Sequence, residues 1–298
     1  MQVESAMKVV WLDKLRVFLE MIKFPHTIFA LPFAFTGALL AKGGLPSGEQ
    51  AFWILMAMVG GRTAAMGLNR LIDAEIDAAN PRTSSRAIPA GLLGKGTVFV
   101  YVLLASLLMF FAAAQLNRLC LYLSPVALAF LVLYSYCKRF TSLAHLVLGL
   151  CLGAAPVGAW IAIRGTVDLP VVLLGLAVLF WVAGFDILYA LQDLEFDRQR
   201  GLHSIPVQLG VTGSLWTARL FSLIMLVLLA GVYLTMPLGV WFLAGLVLAA
   251  LLIGYEHWLL RKGDLARLDL AFFTMNGYVS VIIFVASLID VLTRKGGA

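Results

Sequence analysis

Nine apolar runs, each about 17–25 residues long, occupy most of this 298-residue chain and limit what it can fold into. Hydrophobic residues make up 62% of the chain and charged residues only 13%, whereas soluble domains are about 45–50% apolar. The runs lie near 24–42, 50–72, 97–115, 118–137, 142–163, 170–191, 212–234, 238–260 and 270–292. We therefore predict an all-α integral membrane protein in which nine transmembrane helices form a single domain over residues 1–298.

Residues 1–23 precede the first run and mix apolar with charged side chains, as amphipathic segments in a membrane interface do. This segment carries acids and lacks an uninterrupted apolar core followed by a small-residue cleavage site, so we expect no cleaved signal peptide. The net charge of +6 raises nucleic acid as a partner. The charges lie between apolar runs, however, and form no basic patch with aromatic residues, so we predict the lipid bilayer as a partner and no nucleic acid.

The basic residues are distributed unevenly between the two sides of the predicted bundle. With the N-terminus inside, 15 of the 22 Lys and Arg fall inside, five fall outside, and Arg62 and Arg219 lie within runs. The inside residues are Lys8, Lys14, Arg16, Lys23, Arg70, Arg82, Arg86, Lys95, Lys138, Arg139, Arg198, Arg200, Arg261, Lys262 and Arg267, and the outside residues are Lys42, Arg118, Arg164, Arg294 and Lys295. Because short cytoplasmic loops collect Lys and Arg, we predict a multi-pass protein of the inner (plasma) membrane with a cytoplasmic N-terminus and an external C-terminus.

Two short acidic clusters stand at the ends of the second and sixth runs. They consist of Asp73, Glu75 and Asp77, and of Asp193, Glu195 and Asp197. In each cluster the two aspartates are four residues apart, which places them on one face of a helix, and Asn69 extends the first stripe. The glutamates point elsewhere. Four predicted helices separate the clusters, and this even number returns the chain to the same side of the membrane.

Carboxylates gathered in this way repel each other unless a positive charge lies between them. Mg²⁺ prefers hard oxygen ligands and in proteins often takes one or two carboxylates together with water and substrate phosphates. We therefore predict Mg²⁺ as a cofactor, held by Asp73, Asp77, Asp193 and Asp197 and bridged to a diphosphate. Nearby basic residues offer partners for phosphate oxygens, although each also fits a simple topology signal; they are Arg70, Arg82, Arg86, Lys138, Arg139, Arg198 and Arg200.

The sixth run carries an acid within its apolar stretch. Asp186 lies seven residues before Asp193, with Tyr189 between them, so the three form a polar stripe that leads towards the second cluster. Acids inside a membrane are usually functional, although a buried acid paired with an Arg or a backbone group would also account for Asp186. The histidines show no metal-ligand spacing and are interpreted as packing or interface residues; they are His26, His145, His203 and His257.

Two motifs contain the acidic clusters, NRLIDAEID from Asn69 to Asp77 and YALQDLEFD from Tyr189 to Asp197. They resemble the hallmarks of the UbiA superfamily of membrane prenyltransferases, which are Asn-x-x-x-Asp-x-x-x-Asp and a second Asp-x-x-x-Asp preceded by Tyr-Ala. The stretches NPRTSSRAIPAG (80–91), KRFT (138–141) and HSIPVQLG (203–210) extend the resemblance, and KFPHTIFALPFAF (23–35) is similar to the 4-hydroxybenzoate polyprenyltransferase subgroup. Arg70, Ala74 and His203 depart from the residues common in that subgroup, which leaves the metal ligands intact and bears on the acceptor.

The resemblance implies a nine-helix UbiA-type bundle that uses Mg²⁺ to transfer a polyprenyl group from polyprenyl diphosphate to an aromatic acid acceptor. Of the acceptors, it favours 4-hydroxybenzoate in quinone biosynthesis, with the active site facing the cytoplasm. It implies catalytic roles for Asp73, Asp77, Asp186, Asp193 and Asp197, and substrate contacts for Asn69, Arg82, Arg86, Lys138, Arg139 and Tyr189. Arg139 is the predicted partner of the acceptor carboxylate or of the diphosphate.

Two other functions remain open at this point. One is prenylation of 1,4-dihydroxy-6-naphthoate in menaquinone biosynthesis, which uses the same donor chemistry on a larger acceptor. The other is a membrane transporter that uses intramembrane acids. A transporter does not readily explain two Asp-x-x-x-Asp copies on the same side of the membrane, so prenyl transfer is the favoured hypothesis.

Overall fold

The computed structural model describes residues 13–22, 30–260 and 275–295. Within these ranges the regular structure is helical and no strand occurs. The helices are α1 (residues 13–21), α2 (Leu31–Lys42), α3 (Gly48–Ile72), α4 (Ala74–Ala79), α5 (Lys95–Leu116), α6 (Arg118–Cys137), α7 (Ala144–Arg164), α8 (Leu169–Ala190), α9 (Leu194–Gln199), α10 (Ile205–Thr235), α11 (Val240–Leu259) and α12 (Asn276–Lys295). A single turn of 3₁₀ helix, Leu191–Asp193, joins α8 to α9.

Each of the nine predicted runs overlaps one helix of 12 or more residues. Among the residues that the structure describes, eight helices have the length and apolar composition needed to cross a bilayer, and α2 is an apolar helix of 12 residues. The predicted fold class, an all-α bundle of membrane helices, is therefore confirmed. Residues 1–12, 23–29 and 270–274, which belong to the predicted N-terminal segment and to the first and last runs, lie outside the described part of the chain.

Helix α10 begins earlier than hydropathy predicts, at Ile205 instead of near residue 212. Ser204 caps it, because its hydroxyl accepts a hydrogen bond from the backbone N–H of Val207 at 3.2 Å, and Pro206 lies in the first turn. Gly210 then interrupts the helical backbone with φ 66° and ψ −172°, a conformation that residues with a Cβ rarely adopt. The HSIPVQLG stretch is therefore the capped and kinked start of a helix.

Helices α7 and α8 approach each other so closely that a glycine forms the contact. A Cβ placed on Gly149 would lie 2.3 Å from the carbonyl oxygen of Leu179. Small residues of this kind allow membrane helices to pack at backbone distance. The contact bears on the site described below, because α7 carries His145 one turn before Gly149 and α8 carries Asp186.

We expect Gly149→Ala to lower the thermal stability of the purified protein in detergent. The added methyl group forces the two backbones apart, and overpacking of this kind costs about 1–3 kcal/mol. Gly158→Ala on the same helix is the matched control, because a Cβ there meets nothing within 4 Å. The check is the melting temperature of each variant, and equal melting temperatures for the two would contradict the proposed contact.

Helix α1 packs against the segment that follows the first acidic cluster. Phe18 and Ile22 are each 2% exposed and contact a small apolar cluster that includes Ala87, Leu93 and Val102. One face of the N-terminal segment is thus built into the protein. Its packing supports residues 80–94, which carry two of the predicted substrate-binding arginines.

Candidate active site

The two aspartate motifs share the same local backbone. Asp73 adopts φ −90° and ψ 5° between α3 and α4, and Asp193 adopts φ −103° and ψ 3° before α9. These angles lie in the bridge region of the Ramachandran plot, where many active-site residues are found. Helix α3 ends at Ile72, directly before Asp73, and α8 ends at Ala190, three residues before Asp193. This corrects the expectation that each pair of aspartates lies on one uninterrupted helix. In the first motif, hydrogen bonds from Asp73 N to Asn69 O and from Asp77 N to Asp73 O continue the helical pattern, so the stripe is preserved.

Asp73 is 3% exposed and is held by three side chains. Asn69 Nδ2 donates to Asp73 Oδ2 at 3.0 Å, and Lys138 Nζ lies 2.6 Å from the same oxygen. Arg139 Nη1 lies 3.1 Å from Asp73 Oδ1, and Arg139 Nη2 donates to the backbone carbonyl of Ile72 at 2.8 Å. The KRFT segment is therefore anchored on the first motif, as the sequence predicts from its position at the same end of the bundle.

Asp77 is 4% exposed and contacts two arginines. Arg86 Nη1 donates to Asp77 Oδ1 at 2.7 Å, and Arg70 Nη1 lies 3.8 Å from Asp77 Oδ2. The hydroxyl of Thr83 donates to the backbone carbonyl of Asp77 at 3.0 Å. These contacts fold the NPRTSSR segment back over the first motif.

Asp193 is held by residues that follow the first motif. Arg82 Nε donates to Asp193 Oδ1 at 2.8 Å, and Arg82 Nη2 forms a close ion pair with Asp193 Oδ2. Asn80 Nδ2 donates to Asp193 Oδ1 at 2.9 Å, and Arg82 Nη1 donates to the hydroxyl of Tyr189 at 3.2 Å. Burial lowers the pKa of the Arg82 guanidinium, but the hydrogen bond and charge of Asp193 raise that pKa by more, so it lies above its ordinary value. The prediction that both clusters lie on the same side of the bundle is confirmed.

The fourth predicted ligand, Asp197, is partly buried on α9, and its carboxylate forms no hydrogen bond or ion pair with the residues that the structure describes. The glutamates of the motifs face outwards. The Glu75 side chain is 94% exposed, and the Glu195 side chain is 72% exposed. The structure therefore separates the buried or partly buried motif aspartates from glutamates that face solvent.

The predicted phosphate-binding cations lie directly on the motif carboxylates. Arg82, Arg86, Lys138 and Arg139 each contact Asp73, Asp77 or Asp193, as described above. The repulsion that the sequence predicts between clustered carboxylates is therefore relieved by side chains of the chain itself. An anion that binds to these aspartates by way of a metal ion therefore also lies near four basic side chains.

The first motif has carboxylate oxygens suited to Mg²⁺. Asp73 Oδ1 and Asp77 Oδ2 are buried and accept no hydrogen bond, and hard cations prefer such oxygens. Across residues 13–22, 30–260 and 275–295, no three His, Cys, Asp or Glu side chains cluster closely enough to hold a metal ion. Mg²⁺ commonly uses one or two carboxylates and completes its shell with phosphate and water, so two separate aspartate pairs fit Mg²⁺ bound together with a diphosphate.

Asp186 pairs with a histidine that sequence reasoning misses. His145 Nδ1 lies 2.7 Å from Asp186 Oδ2, and His145 is 4% exposed. From its spacing in the sequence, His145 is interpreted as a packing or interface residue, and the structural alternative for Asp186 is pairing with an Arg or a backbone group. The available signal is that His145 begins an apolar run at the end of the bundle where Lys138 and Arg139 lie, level with an intramembrane acid of another run.

Arg62 is a second residue whose place sequence reasoning misses. It precedes Asn69 by seven residues and Asp73 by 11 on α3, and at about 100° per residue each of these two positions lies within about 20° of Arg62 around the helix. Its Nε is buried, and no described residue accepts a hydrogen bond from it. An intramembrane cation with an unused donor therefore lies on the motif face of α3. The seven-residue spacing to Asn69 is the signal that could have identified it.

The chain matches the family model described as the UbiA prenyltransferase family over residues 30–278. It is 34% identical over 249 residues to the 4-hydroxybenzoate octaprenyltransferase of Tolumonas auensis, with 82% of this chain and 85% of that protein covered. It is 28% identical over 263 residues to the 4-hydroxybenzoate octaprenyltransferase of Francisella tularensis subsp. tularensis, with 87% and 89% covered.

Solved structures with the same fold include two UbiA homologues. The apo structure of a homologue from Aeropyrum pernix K1 superposes with a TM-score of 0.82 at 34% identity and covers 89% of this chain and 98% of that one. A homologue from Archaeoglobus fulgidus bound to DMAPP and Mg²⁺ has a TM-score of 0.68 at 19% identity, with 90% and 99% covered. At that identity the second similarity shows the fold alone.

Proposed function

The chain belongs to the UbiA prenyltransferase family and is an aromatic prenyltransferase, and from this premise we propose its substrates. It transfers a polyprenyl group from polyprenyl diphosphate to 4-hydroxybenzoate in ubiquinone biosynthesis. One observation carries the proposal: Asn80 and Arg82, which follow the first motif, contact Asp193 of the second, so both motifs lie together at one end of the bundle. Relatives named 4-hydroxybenzoate octaprenyltransferase support this acceptor.

The donor diphosphate binds at the two motifs. Asp73, Asp77, Asp193 and Asp197 would hold Mg²⁺, whose charge would make the diphosphate a better leaving group. Arg82, Arg86, Lys138 and Arg139 supply the remaining positive charge, because each already has a nitrogen within about 3 Å of a motif carboxylate. Cations placed in advance stabilise the charge that develops on the departing diphosphate as the allylic C–O bond breaks. We assign Arg139 to the diphosphate, since it lies on Asp73.

The acceptor carboxylate pairs with Arg62. Arg62 lies on the same face of α3 as Asn69 and Asp73, and 11 residues of helix separate it from Asp73, which is about 16 Å along the axis. This separation leaves room for an aromatic ring between a carboxylate at Arg62 and a donor at the motifs. A planar guanidinium with a free donor matches a carboxylate in two-pronged geometry. The ring hydroxyl then points towards the motifs, and the ring carbon ortho to it attacks the allylic carbon.

The size of the acceptor ring separates the two candidate acceptors. 1,4-dihydroxy-6-naphthoate also carries a carboxylate, so Arg62 serves both, and it remains the second candidate because Arg70, Ala74 and His203 depart from the residues common in 4-hydroxybenzoate enzymes. The test offers both acids at equal concentration with one polyprenyl diphosphate and identifies the products by mass spectrometry. We expect prenylated hydroxybenzoate to predominate. Predominance of the naphthoate product would instead assign the chain to menaquinone biosynthesis.

We propose that the motifs face the cytoplasm, because Lys and Arg are in excess in the loops at that end of the helical bundle. In a cysteine-free background, a membrane-impermeant thiol reagent should label Gly48→Cys in intact cells and Gly94→Cys only after the cells are permeabilised. Both positions have nothing within 4 Å of an added Cβ, and they lie at opposite ends of the bundle. Labelling of Gly94→Cys in intact cells would show that the motifs face the outside and would contradict the proposed orientation.

A further inference from the structure

The pair formed by His145 and Asp186 joins the start of α7 to α8, below the second motif. His145 Nδ1 lies 2.7 Å from Asp186 Oδ2. His145 Nε2 is buried, and no described residue provides it with a hydrogen-bond partner. A buried histidine with one nitrogen paired and the other unpaired is rare, because buried polar groups are normally satisfied.

The carboxylate determines which nitrogen of His145 carries the proton. A carboxylate only accepts hydrogen bonds, so Nδ1 donates to Asp186 and the lone pair of Nε2 is left as an acceptor. The same pairing stabilises the imidazolium that forms if Nε2 takes a proton. The chemistry of the pair is therefore that of a general base with its orienting carboxylate.

A purely structural role for the pair does not account for the state of Nε2. Helices α7 and α8 are already held together by close backbone contacts at Gly149 and Gly153. A residue that only linked the helices would require the Nδ1 contact, and Nε2 would be expected to have a partner of its own. The unpaired Nε2 indicates that a bound ligand supplies its partner.

The position of the pair matches that of an acceptor ring. Asp186 precedes Asp193 by seven residues, about two helical turns, and Tyr189 between them contacts Arg82, which holds Asp193. An aromatic ring that attacks a donor bound at the motifs has to lie in this region.

We propose that His145, oriented by Asp186, is the base that removes the ring proton of the aromatic acceptor, an inference that rests on the proposed function. The allylic C–O bond breaks, and its electron pair leaves with the diphosphate. A pair of ring π electrons forms the new C–C bond ortho to the hydroxyl. The proton on that carbon passes to His145 Nε2, and its bonding electrons restore the aromatic ring. The proton then leaves the imidazolium for the released diphosphate or water.

Other groups near the donor are less suited to this step. Asp73, Asp77 and Asp193 each have a cationic partner, and the carboxylate of Asp197 is assigned to the metal in the proposed function. His257 has a buried Nδ1 without a partner, but its Nε2 contacts Ser222 on α10, away from the motifs. It provides the matched control, a second histidine within a membrane helix that also has one unpaired nitrogen.

The test measures transfer with 4-hydroxybenzoate that carries deuterium ortho to the hydroxyl. In the wild type we expect C–O cleavage to limit the rate and therefore no primary isotope effect. His145→Gln keeps a polar side chain of similar size but removes the base. We expect its turnover to fall by about a hundredfold or more, since general bases contribute about 10²–10⁴, and a primary isotope effect to appear. Asp186→Asn, which disturbs the tautomer, should show a smaller loss with the same isotope effect, and His257→Gln should match the wild type.

Donor hydrolysis without an acceptor separates this role from a folding defect. It requires C–O cleavage and no ring base, so His145→Gln should retain it, with an unchanged melting temperature and an unchanged KM for the donor. Equal transfer rates and no isotope effect in His145→Gln would overturn the role of His145 while the proposed function stands. If His145→Gln does not fold, the same result for Asp186→Asn overturns it. A wild type that prenylates no aromatic acid would overturn both proposals.

Discussion

Asp73→Asn and Asp193→Asn will each reduce kcat/KM for prenyl transfer by about a thousandfold or more. Each change removes a charged ligand from a different aspartate pair, and metal stabilisation of a leaving group is worth several kcal/mol, with each 1.36 kcal/mol giving a factor of about ten in rate. Asparagine keeps the shape of the side chain and its capacity to accept a hydrogen bond. The measurement is steady-state transfer with saturating acceptor and Mg²⁺.

Each motif offers a matched control two residues further along the chain. Glu75→Gln and Glu195→Gln remove the same charge from side chains that are 94% and 72% exposed, so we expect activities within about twofold of the wild type, as for surface changes worth less than about 0.5 kcal/mol. Near-normal turnover of either aspartate variant under these conditions would contradict the joint action of the two pairs. Comparable losses in the glutamate variants would show a general charge effect instead.

Arg62→Ala will raise KM for 4-hydroxybenzoate by about ten- to 150-fold, while KM for the donor changes little. This range corresponds to loss of one charge-assisted hydrogen bond, about 1.5–3 kcal/mol. Arg62→Lys should restore only part of the affinity, because an ammonium keeps the charge and loses the two-pronged geometry. Arg219→Ala is the control, since Arg219 also lies within a membrane helix but packs over the ring of Trp216, which is 64% exposed.

The methyl ester of 4-hydroxybenzoate identifies the partner of Arg62 directly. If the guanidinium binds the carboxylate, esterification weakens acceptor binding strongly in the wild type and only slightly in Arg62→Ala, because the contact is already lost. Equal effects of esterification in the two proteins would place the acceptor carboxylate elsewhere, and Arg139 would then be the next residue to test.

Much of the fold and part of the site follow from the sequence. The nine apolar runs are long enough to indicate the membrane helices, and the repeated Asp-x-x-x-Asp spacing, with an even number of helices between the copies, indicates that both motifs lie at one end. The start of α10 at Ile205 was not predicted, because hydropathy does not detect the cap at Ser204 or the kink at Gly210.

The contacts that organise the site depend on tertiary packing and could not be read from periodicity. Arg82 and Asp193 are 111 residues apart in the chain, and their ion pair forms because the segment after α4 folds over the second motif. His145 meets Asp186 because Gly149 lets α7 and α8 approach at backbone distance. Spacing within one helix does show that Arg62 and Asn69 share a face, but it does not show that the Arg62 Nε is left without a partner.

The central claim is that the two motifs act together on a polyprenyl diphosphate to alkylate an aromatic acid. It is tested most directly by incubating the purified wild-type protein with 4-hydroxybenzoate, a polyprenyl diphosphate and Mg²⁺ and analysing the products by mass spectrometry. We predict a product with the mass of the acid plus one prenyl group minus one hydrogen, one diphosphate released for each product, and neither when a chelator removes the metal. Undiminished product in the presence of chelator, or diphosphate release without prenylation of any aromatic acid offered, would contradict the claim.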